Sequence, residues 1–262
     1  MTDAGLPRLT VAEGVATICL QRPMQRNSLH DADLRALLDH FAQLDADPAV
    51  RAVVLTADTG DTTAAGKRPV FCAGYHVGGF DSADHDPQLF ERVADALEQL
   101  RPLTICALNG SVYGGATDLV LACDLRVALA GSEWRMPATA LGLHYYPSGL
   151  RRYVSRLGLE GAKQAFLTAK ALAVESPVLQ GLFETLATAE HFDAAVAALV
   201  RQVAALAPLA AQATKQSLNE IAAGSFDLKR LRAREAMTTA SADFAEGRAA
   251  MAARRTPRFA GR

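Results

Sequence analysis

The stretch from Thr104 to Ala128, TICALNGSVYGGATDLVLACDLRVA, holds the residues best spaced for chemistry. An apolar run, Leu103 to Leu108, is closed by the turn signal Asn109-Gly110; the pair Gly114-Gly115 follows and leads into a helix-compatible stretch, Ala116 to Ala122. This order describes a strand, a turn and a helix start. Adjacent glycines let the backbone approach a ligand closely, and the first helical N–H groups have no intrahelical partner. Such groups attract developing negative charge. Asp118 lies within the first helical turn, so the pattern predicts an anion trap with a carboxylate beside it. The same residues also fit a plainer role, glycines packing a helix on a strand and Asp118 capping it.

A second segment lies upstream, Val70-Phe71-Cys72-Ala73-Gly74-Tyr75-His76-Val77. Together, FCAGYHV and NGSVYGGATDLVLACDL resemble the crotonase superfamily, which includes the enoyl-CoA hydratases and isomerases. The second motif matches through Asn109-Gly110, Gly114-Gly115-Ala116 and Cys123-Asp124. Fainter similarity runs from Arg22-Pro23 and Asn27-Ser28-Leu29 to Phe244-Ala245-Glu246-Gly247-Arg248, nearly the whole chain.

The resemblance implies an α/β fold, a spiral of ββα units over residues 1–200, with a helical C-terminal region over 201–262 that closes the site and builds trimers or hexamers. It implies an acyl-CoA thioester as substrate, with coenzyme A part of that substrate and no separate cofactor. By resemblance, the backbone N–H groups of Tyr75 and Gly115 form an oxyanion hole. Two fixed donors in a dry site would stabilise the enolate formed when a proton leaves or joins the carbon next to the thioester carbonyl. Aligned through Gly114-Gly115, the first glutamate of the hydratases is Asp118, the expected acid/base; aligned through Met136-Pro137, the second is Ala138, which can neither give nor take a proton. Hydration uses two carboxylates, so one carboxylate suits isomerase-like proton shuttling better. Near an acid position of other branches stand His144, Tyr145 and Tyr146, which either replace the missing acid or fill a pocket wall or subunit contact. His76 replaces a common aspartate and reads as a loop residue bonding backbone or as a base. Coenzyme A contacts fall by resemblance along Met24 to Arg26 and Ala73, Gly74 and Tyr75, with His76, Gly114 and Ala138 also expected among the substrate-binding residues and Arg254 at a nucleotide phosphate.

Alternatives on the same scaffold are a thioester hydrolase or carbon–carbon lyase, and a non-catalytic acyl-CoA-binding protein. A serine hydrolase is disfavoured because neither Ser111 nor Ser148 sits in a Gly-x-Ser-x-Gly elbow, and a dinucleotide enzyme because the glycine pair does not extend to G-x-G-x-x-G.

The positioning elements can be read in order. Leu9 to Val11 and Val15 to Leu20 form a hairpin around Ala12-Glu13-Gly14. A helix capped by Asn27-Ser28 runs to about Asp45, with Leu34, Leu37, Leu38, Phe41 and Leu44 on one face. Val53 to Leu55 and Pro69 to Phe71 are strands, joined by the polar loop Asp58 to Arg68. The acidic stretch Asp81 to Asp86 reads as mobile and precedes a helix from Pro87 to Leu100. Leu125 to Ala128 and Trp134 to Met136 are further strands, and from Gly149 the pattern is helical to the end, including Leu159 to Thr168, His191 to Leu206 and Leu209 to Ala223.

With 262 residues, half of them hydrophobic, the chain can bury a large core, and its net charge of −1 points to neither nucleic acid nor an anionic membrane as partner. MTDAGLPRLT lacks a signal pattern and no apolar run approaches membrane-spanning length, so the expected location is the cytoplasm. Cys19, Cys72, Cys106 and Cys123 have apolar neighbours and no Cys-x-x-Cys spacing, which suits buried thiols rather than disulfides or a structural metal.

Overall fold

A hairpin of β1 (Arg8–Ala12) and β2 (Val15–Leu20) opens the chain, and α1 (Asp31–Ala46) follows. The computed structural model describes residues 5–61, 68–76, 78 and 86–262; parts of the 58–68 loop and of the acidic 81–86 stretch lie outside the described residues. Three strand–strand–helix units come next: β3 (Ala52–Ala57), β4 (Val70–Cys72) and α2 (Leu89–Gln99); β5 (Leu103–Leu108), β6 (Ser111–Tyr113) and α3 (Ala116–Ala122); β7 (Leu125–Leu129), β8 (Glu133–Arg135) and α4 (Pro147–Thr168). Short strands β9 (Leu172–Ala173) and β10 (Thr185–Ala187) precede α5 (Phe192–Ala204), α6 (Pro208–Ala222), α7 (Leu228–Thr239) and α8 (Ala242–Ala252).

Among the described residues, the first strand of each unit joins a six-stranded sheet ordered β1-β2-β3-β5-β7-β10, and the second joins a four-stranded sheet ordered β4-β6-β8-β9. Each turn of this spiral is driven by burial. Along β2, Ala16, Ile18 and Leu20 point inward at alternate positions, while Val53 and Leu55 of β3 and Cys106 and Leu108 of β5 continue the same core. The helices cover it through Leu34, Leu37, Phe41 and Leu44 of α1 and Val93, Ala94 and Leu97 of α2. α3 is buried along its whole length, so its C-terminal carbonyls cannot turn to water. Arg126, itself buried, donates instead to the carbonyls of Val120 (2.7 Å), Leu121 (2.9 Å) and Cys123.

Several sequence expectations shift. α1 starts at Asp31, where the Asp33 carboxylate accepts from the His30 N–H (2.8 Å). Asn27 instead takes a left-handed conformation (φ 51°), and its side chain accepts from the Arg22 N–H and donates to the Asp58 carbonyl, both at 2.8 Å. An Asn that ties three segments looks, in sequence, like a helix cap. The residues between Asn109-Gly110 and the glycine pair form β6 rather than a plain turn, and α4 begins at Pro147, before Gly149. The second half also contributes β9 and β10, too short for an alternating pattern to show. The expected division at residue 200 falls inside α5, whose Val196, Leu199, Val200 and Val203 pack on the larger sheet.

Arg126 sets a test of this packing. Arg126→Ala leaves three buried carbonyls without donors and should destabilise the fold by about 3 kcal/mol in urea unfolding; a loss under about 1 kcal/mol would show that those carbonyls find other partners.

Candidate active site

Two loops meet at the ends of β4 and β6. The first, residues 73–76, is pinned from one side by the segment 26–29: Ala73 N–H donates to the Arg26 carbonyl (2.9 Å), Leu29 N–H to the Gly74 carbonyl (2.9 Å) and His76 N–H to the Leu29 carbonyl (2.8 Å). Cys72 Sγ donates to the Asn27 carbonyl at 2.9 Å, and burial pushes that thiol up to about 12. In this parallel bridge between Leu29 and Tyr75, the Gly74 carbonyl and His76 N–H face Leu29, so the Tyr75 N–H faces away from it.

The second loop carries the glycine pair. Gly114 has φ +56°, and its N–H donates to the Arg135 carbonyl (2.9 Å); Gly115 then opens α3, where an N–H has no intrahelical acceptor. Gly74, with φ +94°, lies directly against this turn. A Cβ at Gly74 would fall 2.7 Å from the Tyr113 carbonyl oxygen and 3.3 Å from the Gly115 nitrogen. The two backbones are therefore in contact only because no side chain separates them. Above Gly115 stands Phe90 of α2, whose ring would be 2.8 Å from a Cβ there and which meets the Tyr75 ring edge-on at 6.3 Å.

These loops form one side of a cavity of about 610 Å³. Ala73, Tyr75, Gly114, Gly115, Ala138, His144, Tyr145 and Tyr146 line it, together with apolar residues such as Phe90, Met136 and Leu143. Tyr145 and Tyr146 stack at 4.1 Å over the first turn of α4, where a Cβ at Gly149 would strike both rings. The Tyr145 hydroxyl donates to that of Tyr146 (2.9 Å), which donates to Asp118 Oδ2 (2.7 Å). Burial, followed by the nearby Asp118 charge, pushes both phenols well above their ordinary range.

Asp118 differs from the sequence expectation in its surroundings. Its carboxylate is fully buried and is not part of the cavity wall. Arg152 grips it with two donors, Nε to Oδ1 at 2.9 Å and Nη2 to Oδ2 at 2.7 Å, and Tyr146 is the cavity residue that touches it. Asp86 also lines the cavity, but its hydrogen bonds from Arg92 and then from the Gln88 N–H hold its carboxyl below the usual range.

Other expected contacts stand away from the cavity wall. His76 stacks on His30 at 4.4 Å; burial, then the charges of His76 and Arg22, lower the His30 imidazole. Met24 is exposed, Arg26 lies 5.4 Å from the Tyr113 ring centre, and Arg254 is exposed at the end of α8. Sequence reasoning missed Arg152 and placed Phe90 on the core-facing side of its helix rather than at the cavity. The available signal was position: Arg152 shares a helical face with Gly149 and Tyr153.

Residues 10–262 match the family model described as enoyl-CoA hydratase/isomerase, and the chain belongs to that family. It is 33% identical to a probable enoyl-CoA hydratase of Mycobacterium leprae, over 81% of this chain and 82% of that protein. It is 23% identical to the methylmalonyl-CoA decarboxylase of Escherichia coli, over 94% of this chain and 95% of that one. Its fold superposes on an enoyl-CoA hydratase/isomerase family protein of Hyphomonas neptunium with a TM-score of 0.87 and 26% identity, each chain fully covered.

Four buried or partly buried phenols set a pH limit. Tyr75, Tyr145, Tyr146 and Tyr153 all have raised folded-state values, with burial the first cause. Unfolded tyrosine ionises near about 10, so the stability these neutral phenols contribute is full below that pH and is lost as pH rises above it. Alkaline titration should show their phenolate absorbance growing together with loss of the circular dichroism signal; four phenolates appearing in a protein that stays folded would contradict this environment.

Proposed function

We propose that the cavity binds an acyl-CoA thioester with its carbonyl oxygen at the Tyr75 and Gly115 amides, and that reaction proceeds through the enolate. The observation that supports this most is the contact between Gly74 and the Gly114-Gly115 turn, which brings the two donor-bearing backbones together beside an apolar cavity. A thioester oxygen there would gather charge as the bond to an α-substituent breaks, and both donors would strengthen with that charge.

The proton path in this reading runs through Tyr146. Its oxygen takes the α-proton while its own hydroxyl proton moves to Asp118 Oδ2, and the reverse sequence returns a proton to another carbon of the enolate. Asp118 is thus the acid/base, acting through a phenol. Hydration fits poorly, since Ala138 offers no second acid and Asp86 is tied to Arg92. Isomerisation or a related enolate reaction fits better. The soluble trimeric or hexameric assembly, with Arg254 near a nucleotide phosphate, belongs to this same reading.

A second reading has a specific basis: Asp118 already accepts three hydrogen bonds, which suits a reaction that needs no protein base. In a carbon–carbon lyase acting on a 2-carboxyacyl thioester, the bond to the carboxylate breaks, its electron pair enters the enolate, carbon dioxide leaves and the α-carbon is then protonated. The decarboxylase relative catalyses such a reaction by name.

Incubating the protein in deuterated water with acetyl-, enoyl- and malonyl-type CoA thioesters separates these outcomes by mass spectrometry. Deuterium at the α-carbon of recovered thioester supports the proton path, and release of carbon dioxide supports the lyase. On the first reading, Asp118→Asn and Tyr146→Phe each slow exchange about 100-fold while thioester binding persists. Unaltered exchange in both variants would remove the Tyr146–Asp118 pair from the chemistry.

A further inference from the structure

Arg152 lies on α4 with its side chain wholly buried, six residues beyond Tyr146. A guanidinium has five N–H donors, and here they meet five acceptor contacts. Nε and Nη2 hold the two oxygens of Asp118 at 2.9 and 2.7 Å; Nη1 reaches Asp95 Oδ1 at 2.7 Å and Glu98 Oε2 at 3.2 Å; Nη2 also reaches Ser148 Oγ at 3.3 Å. Three helices therefore converge on one side chain: α3 through Asp118, α2 through Asp95 and Glu98, and α4 through Ser148 and Arg152 itself. Glu98 also pairs with Arg151 and Arg156, and Ser148 Oγ donates to Glu91 (2.9 Å).

The direction of every hydrogen bond in the chain toward the cavity follows from this grip. Held by two charged donors, Asp118 presents Oδ2 only as an acceptor, so the Tyr146 hydroxyl must donate to it and the Tyr145 hydroxyl must donate to Tyr146. The Tyr146 oxygen, which already accepts from Tyr145, is thereby left with one further lone pair for another donor. Ser148, one turn from the phenols, is fixed by the same guanidinium.

We infer that Arg152 is a positioning residue of the active site: its bidentate contact holds Asp118 in the acceptor state and so sets the hydroxyl direction and place of Tyr146. The inference rests on the proposed thioester reading for its kinetic consequence, and on the buried ion pairs alone for its structural one. Burial works against the Arg152 charge, yet hydrogen bonds and charges of Asp118, Asp95 and Glu98 outweigh it and keep the guanidinium firmly protonated. Without that charge, a fully buried carboxylate has no compensating cation and takes up a proton.

The test uses the full-length protein. Infrared spectra of ligand-free Arg152→Gln at neutral pH should show a protonated carboxylic acid band that is absent from the unsubstituted protein and from Arg152→Gln/Asp118→Asn. A folded Arg152→Gln without that band, or a double variant that retains it, overturns the inference. Arg152→Lys keeps the charge but loses the planar fork, and should lower kcat for acetyl-CoA exchange in deuterated water about tenfold with KM unchanged. Combined with Asp118→Asn it should be no slower than Asp118→Asn alone, since both act on one element. Additive losses, or a KM effect with kcat intact, overturn the assignment, and these two variants carry the test if Arg152→Gln does not fold. The infrared band needs no substrate: if Arg152→Gln shows it while the unsubstituted protein exchanges no thioester, the proposed proton path fails and the Arg152 contact stands.

Discussion

Backbone touching backbone is the constraint on which the site depends. Gly74 and the Gly114-Gly115 turn approach so closely that a single Cβ at residue 74 would overlap the Tyr113 carbonyl and crowd the Gly115 nitrogen. Left-handed φ values at Gly74 and Gly114 add a second reason for glycine, because L side chains are strained there. Everything around the contact serves to hold it. Hydrogen bonds from residues 26–29 fix one loop, the Arg135 carbonyl fixes the other, and the parallel pairing of β4 with β6 brings both to the same sheet end.

Behind that contact lies a buried layer of charge. Asp118, Glu98 and Arg152 are each nearly or wholly removed from water, and an uncompensated ion in such a place would be expensive. Arg152 pairs with both carboxylates and so joins α2, α3 and α4. It also decides what the cavity sees. A carboxylate facing the cavity could be a general base; a carboxylate faced by Arg152 and covered by Tyr146 is the far end of a hydrogen-bond chain whose phenol lines the cavity. The chemistry available to the site is thus set as much by helix packing as by the residues on its wall.

Much of this was legible in the residue string, and the reasons are local. Two apolar-rich runs flank Ala12-Glu13-Gly14 in the hairpin, α1 and α2 repeat at helical spacing, and the glycine motifs mark the loops that later meet. Family membership, too, shows in those motifs. What stayed hidden depends on contacts between distant segments. Asn27 resembles a cap but ties Arg22 to Asp58; no motif marks Arg152, yet it binds residues of three helices; β9 and β10 gain their strand character only by pairing with β8 and β7. Asp118 was found as a residue, whereas its isolation from the cavity wall follows from Tyr145 and Tyr146 stacking over Gly149, a packing fact no spacing rule encodes.

The most direct measurement is the carbonyl stretch of bound acetyl-CoA carrying ¹³C at the thioester carbonyl, recorded as an isotope-edited infrared difference spectrum. Convergent Tyr75 and Gly115 amides should weaken that double bond and move its band to lower frequency than in free solution. A band at its solution frequency in the saturated complex would mean that the two amides do not meet the thioester oxygen, and would contradict the proposed site.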